Sequence, residues 1–129
     1  SNVLGAIVPR LPTIQLEGDA ISRDAAVRAD YDSDPLNYRG KIQIGTGRQM
    51  SLAMNAAMAE AGSIRCPLLI VHGTADRLTA SSGSEELSRR AGSSDVTLRL
   101  WQGAFHELHH EPERDEVLGV ITDWLTAHC

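Results

Sequence analysis

Apolar and polar positions change their rhythm near residue 63 of this chain. Before that point the pattern is irregular and punctuated by Pro9, Pro12 and Gly18; after it, two kinds of periodicity alternate. In the first stretch Ser22 reads as the N-cap of a short helix over residues 23–30, and small helices joined by loops are expected throughout. Met50, Met54 and Met58, with Leu52 and Ala57, recur at helical spacing, so a helix is expected over 48–61 with Gly62 as its stop. Past residue 63, Pro67 to Val71 is an unbroken apolar run, the pattern of a strand covered by helices on both faces. Residues 84–91 read as a helix closed by Gly92, and Val96 to Trp101 alternates as a half-exposed edge strand would. Pro112 then opens a helix whose apolar face is Val117, Ile121, Trp124 and Leu125.

That order, strand, loop, helix, strand, loop, helix, is the grammar of a parallel α/β sheet. Two strands cannot be the whole sheet, because a fully apolar strand needs neighbours on both sides and an isolated pair is marginal in water. The expectation is therefore that more strands precede residue 1, or that copies of the chain pair through exposed strand edges into a homo-oligomer.

In open parallel sheets the chemistry gathers beyond the carboxyl ends of the strands. Two loops qualify. His72 to Arg77 carries Asp76 about five residues past the apolar run, and Gly103 to Glu107 carries His106 about five past the next strand. Similar offsets on neighbouring strands would bring a carboxylate and an imidazole to one rim. A carboxylate that accepts from one ring nitrogen fixes the tautomer, and the other nitrogen can then take a proton from a nucleophile. Acid before histidine is also the chain order of the α/β-hydrolases.

The stretches Ile21-Ser22-Arg23-Asp24, Asp34-Pro35-Leu36, His72 to Leu78 and Gly103 to Leu108 resemble the corresponding segments of bacterial monoacylglycerol lipases and lysophospholipase-like hydrolases, over nearly the whole chain from Pro9 onward. The resemblance implies the carboxyl-terminal part of an α/β-hydrolase: a helical lid or cap over residues 1–62, then the last two strands and helices of a mostly parallel sheet over 63–129. It also implies Asp76 and His106 as triad acid and base, an acyl ester or lipid as substrate, the amino-terminal half of the hydrolase as the missing partner, and no cofactor. One departure stands out: no Gly-x-Ser-x-Gly occurs, so the nucleophile elbow and its oxyanion hole are not encoded here and the chain alone should not turn over an ester. A non-catalytic assembly domain built from the same fold is the alternative.

Composition narrows this further. A formal charge of −5 without clustered Lys or Arg excludes a nucleic-acid binder. No apolar run approaches a membrane span, the first four residues lack the features of a secretion signal, and the lone thiols Cys66 and Cys129 fit a reducing compartment, so a cytoplasmic location is expected. Two rival readings lose on local chemistry. His106-Glu107-Leu108-His109-His110 matches the zinc pattern His-Glu-x-x-His, but Gly103 and Pro112 leave no room for the long helix that pattern needs. His109, His110 and Glu111 then read as a solvated loop and helix start. Asp30 to Asp34 resembles a calcium loop, yet Pro35 replaces its glycine and Lys41 its bidentate glutamate. His72 reads as a hydrogen-bonded structural residue. The methionines could line a lipid groove, with core packing the commoner role for such a stripe.

Overall fold

A computed structural model describes residues 6–15 and 18–128; Cys129 and the first residues, on which some of the expectations fall, lie outside the described set. The parallel α/β unit is present. Strand β3 (Leu68–Gly73) pairs with β4 (Val96–Trp101) in parallel register, from Leu68 opposite Val96 to Gly73 opposite Trp101. Helix α3 (Ser81–Arg90) connects them and packs on both, and α4 (Arg114–Ala127) follows β4. The helices obey their end chemistry: Arg89 and Arg90 occupy the last turn of α3, and Asp115 and Glu116 the first turn of α4, each sign complementing the helix dipole. Ala104, Leu108 and Val117 form a buried core against Val71, Trp101 and Ile121, so the loop after β4 is clamped between the sheet and α4.

The apolar run of β3 is less covered than its sequence suggests. Only Ile70 and Gly73 are buried, and Leu69 and Val71 line an open groove with Pro67, Ile121, Trp124 and Leu125. Among the described residues β3 pairs with β4 alone. Apolar composition reports what a strand is built to meet, and on this side of β3 the described residues leave the groove open.

The first half departs further from expectation. It contains a strand pair as well as helices: β1 (Pro12–Gln15) runs antiparallel to β2 (Lys41–Gln43), with a register shift between Pro12 and Ile14. Helix α1 spans Ala25–Ser33, and its N-cap is Asp24, whose carboxylate accepts from the Ala26 N–H at 2.8 Å. Ser22, expected in that role, is fully buried and turned to a different task described below. Arg39 donates to the carbonyls of Tyr31, Asp32 and Asp34, so the acidic stretch that resembles a calcium loop closes around a guanidinium. Helix α2 runs from Ile44 to Glu60, starting four residues earlier than its methionine stripe indicates, and passes into a 3-10 turn at Ala61–Ser63. Its stripe is not core: Met50 and Met54 are 55% and 61% exposed. Among the described residues no helix is long and apolar enough to cross a membrane.

Candidate functional site: a buried carboxylate and its histidine

The register of β3 and β4 decides the site. Gly73 and Trp101 end their strands side by side, so the chain leaves both strands at one rim. The two loops then lock together: Thr74 N–H donates to Trp101 O at 3.0 Å, Ala75 N–H to Ala104 O at 3.0 Å, and Gly103 N–H to Thr74 Oγ1 at 2.8 Å. Two glycines are required here. A Cβ on Gly73 would overlap the carbonyl oxygens of Ala104 and Phe105, and Gly103 has φ of 77°, which side chains resist.

The clamped loops bring Asp76 and His106 together. His106 Nδ1 lies 2.8 Å from Asp76 Oδ2, the arrangement of a ring N–H donating to a carboxylate. Asp76 has a side chain only 2% exposed; besides His106 and the nearby His72 Nε2, its partners come from its own turn. Oδ1 accepts from the Leu78 N–H at 2.7 Å and the Thr79 N–H at 3.0 Å, and Oδ2 accepts from the Thr79 hydroxyl at 2.8 Å. Burial by itself would raise the carboxyl pKa. Hydrogen bonds from His106, Thr79 and Leu78 outweigh it and hold the group at about 2, an anion at any ordinary pH. With Nδ1 committed to that anion, Nε2 is the nitrogen able to take a proton. His106 itself is 39% exposed, reachable from outside the loop pair.

His72 behaves as the hydrogen-bonded residue expected of it. Its Nδ1 meets Ser84 Oγ at 2.7 Å, and its Nε2 lies 3.2 Å from both Thr79 O and Asp76 Oδ2. The zinc-type pattern is split apart: His106 turns to Asp76, while His110 Nδ1 meets Glu107 Oε2 at 2.8 Å, and the pattern's length is covered only by a 3-10 turn at Leu108–His110.

Beside the acid loop opens a cleft of about 590 Å³. Arg77 and Leu78, the two residues after Asp76, line it together with Ile14, Ile42, Met50 and Met54. Its lining is mostly apolar, and here the exposed Met50 and Met54 of α2 share the cleft with Ile14 of β1 and Ile42 of β2. Arg77 stacks its guanidinium 5.5 Å from the Phe105 ring centroid and pairs with Asp19 at 3.1 Å, tying the acid loop, the histidine loop and the first half together.

Glu111 was missed by the sequence reading. Far from solvated, it is fully buried, and Oε1 accepts from the Arg23 N–H at 2.8 Å while Oε2 meets Arg23 Nε. Arg23 also reaches Glu113, and the buried Ser22 hydroxyl donates to His110 O at 2.8 Å. The Glu111 hydrogen bond, set against the cost of desolvation and aided by Glu113, raises the pKa of the Arg23 guanidinium. Nothing in the local pattern of Glu111 announces burial; its partners sit 88 residues away.

A parallel strand pair with an anionic carboxylate on one loop and its histidine on the next defines part of an α/β-hydrolase. Residues 1–113 match the family described as serine aminopeptidase, S33, and the chain belongs to it. It is 38% identical over 128 residues to a monoacylglycerol lipase of Mycolicibacterium smegmatis, covering 99% of this chain and 46% of that protein. It is 32% identical over 128 residues to the human monoglyceride lipase, covering 98% and 42% respectively. The crystal structure of a Paleococcus ferrophilus monoacylglycerol lipase superposes with a TM-score of 0.87 at 32% identity, over 98% of this chain and 50% of that one. The chain thus spans about half the length of the relatives it matches, and its architecture is that of the carboxyl-terminal part of their fold.

Proposed function

We propose that this chain supplies the acid, the base and the acyl-binding lid of a serine esterase that hydrolyses small acylglycerol esters, monoacylglycerol or lysophospholipid, through an acyl-enzyme. The observation that carries the reading is the Asp76–His106 hydrogen bond at the shared rim of two in-register parallel strands, with an apolar cleft opening beside it. The names of the relatives support the substrate class.

In this mechanism His106 Nε2 takes the proton of a serine hydroxyl supplied by the rest of the hydrolase as that oxygen attacks the ester carbonyl. The imidazolium so formed is stabilised by the Asp76 anion, and the proton is returned to the departing glycerol oxygen. Water then attacks the acyl carbon while losing a proton to His106, the serine–acyl bond breaks as His106 returns that proton to the serine oxygen, and the fatty acid leaves. Asp76 stays ionised throughout, because its turn donates three hydrogen bonds in addition to that of His106. Residues 1–62 act as the lid and 63–129 as the core, with Met50 and Met54 lending adaptable thioethers to the acyl chain. The chain alone, holding no Gly-x-Ser-x-Gly, lacks the nucleophile and is inactive by itself. Replacing His106 with Ala in the full-length hydrolase tests this. Loss of short-chain glycerol ester turnover with an intact fold supports the reading; retained turnover removes His106 from the mechanism.

A further inference from the structure

We infer that Arg23 and Glu111 are positioning residues for His106: this ion pair, half-buried on the arginine side and fully buried at the carboxylate, fixes the histidine loop from its downstream side and makes the placement of the base depend on the docking of the Ile21–Arg23 segment. The inference rests on His106 being the base. The histidine loop has two sets of backbone anchors. Upstream, Gly103 and Ala104 are bonded to Thr74 and Ala75, in the loop that carries Asp76. Downstream, Leu108 packs into the core, and the hydrogen bonds to other segments among the described residues go to the first half: Glu107 N–H donates to Ile21 O at 2.8 Å, Ser22 Oγ to His110 O at 2.8 Å, and Arg23 binds Glu111 through both its backbone N–H and its guanidinium. The Ile21–Arg23 segment is itself pinned, since Arg28 donates to Ser22 O at 2.9 Å and Arg23 O at 2.7 Å, and Ile21 and Ser22 are buried.

The chemistry of the pair explains why an ion pair occupies this place. Burying a carboxylate costs about as much as its partner returns, so a pair of apolar side chains would stabilise the junction at least as well. What apolar contact cannot supply is direction. Glu111 has no exposure, takes its bonds on both oxygens from one residue, and so sets both distance and rotation between the two segments. His106 lies five residues upstream of that fixed point, and an error of about 1 Å in a reacting group lowers turnover on the order of 10²-fold.

The test uses the full-length hydrolase encoded by the gene that contains this chain, with Glu111→Gln, Arg23→Lys and Ser22→Ala, and with His106→Ala as a control. Functional sites are counted by end-point titration with an organophosphonate, and kcat per titrated site and KM are measured on p-nitrophenyl butyrate. The proton shared by His106 and Asp76 is followed by its low-field resonance. The expected result is a fall in kcat per titrated site on the order of 10-fold or more for Glu111→Gln and less for Arg23→Lys, with KM within about twofold and the low-field resonance broadened or lost. If Glu111→Gln yields no folded protein, Arg23→Lys and Ser22→Ala carry the same readouts. Unchanged kcat per site, with only the number of titratable sites or the melting temperature reduced, would show the pair to be structural and overturn the inference. Retained activity in His106→Ala would instead overturn the assignment of the base, a separate failure.

Discussion

Asp76→Asn in the full-length hydrolase should leave the fold standing and nearly abolish turnover, because the turn around residue 76 dictates how an amide must sit there. One position of the carboxylate, Oδ1, faces the backbone N–H groups of Leu78 and Thr79, both donors that cannot rotate away. An amide nitrogen placed there would confront two donors, so the asparagine oxygen must take Oδ1 and its NH2 must take Oδ2. At Oδ2 the Thr79 hydroxyl can turn and accept, but His106 Nδ1, 2.8 Å away, must then give up its proton and become the acceptor. That forces the hydrogen onto Nε2, the nitrogen required as base. The cost of this tautomer in a serine protease triad is about 10⁴-fold in kcat, or about 5 kcal/mol of barrier, and the same scale is expected here. The assay is steady-state hydrolysis of a short-chain monoacylglycerol, with circular dichroism to confirm the fold. A well-folded Asp76→Asn enzyme within about tenfold of wild type would refute a forced tautomer at His106, since a base that starts protonated at Nε2 cannot lose so little.

The same carboxylate gives a pH dependence to stability. Its folded pKa of about 2 lies below the ordinary 3.8, so its contribution is fully present above pH 4 and is lost as pH falls through 2; the displacement amounts to about 2 kcal/mol. Urea unfolding from pH 5 to 2 should show that extra acid sensitivity in wild type and not in Asp76→Asn, whereas parallel curves would count against an ionised, hydrogen-bonded Asp76. Gly73→Ala should push the carbonyls of Ala104 and Phe105 outward and displace His106, lowering turnover about 10²-fold by active-site-normalised kinetics; wild-type kcat would mean the loop contact does not position the base. Val117→Ala, at the centre of the core under the histidine loop, should cost about 2 to 3 kcal/mol in chemical denaturation, from two lost methyl groups and the cavity left behind. Met54→Trp should narrow the cleft and raise KM for long acyl chains more than for short ones; equal changes across chain lengths would place the acyl group elsewhere.

What could be read from residues alone followed the distance over which each feature is decided. The β3–α3–β4–α4 order was legible because strand and helix periods are local, and the meeting of Asp76 with His106 was legible because each follows its strand after a short, similar interval on one rim. The β1–β2 pair was not: Pro12–Gln15 and Lys41–Gln43 are short, mostly exposed, and bonded across about 25 to 30 residues, so no local alternation marks them. Ser22 and Asp24 are both good cap residues, and the choice between them turned on the remote carbonyl of His110, which draws Ser22 inward. Glu111 looked solvated for the same reason, with its partner at Arg23 invisible to any window around it. The methionine stripe was periodic, but period alone does not say whether a helix face meets a core or an open cleft.

The most direct test of the central claim is a side-by-side turnover measurement on a short-chain monoacylglycerol, using the full-length gene product, its His106→Ala form and the 129-residue chain. Hydrolysis is expected from the full-length protein alone, with an acyl group detectable by mass spectrometry on a serine outside this chain. Ester turnover by the 129-residue chain itself, or undiminished turnover after His106→Ala, would contradict that claim.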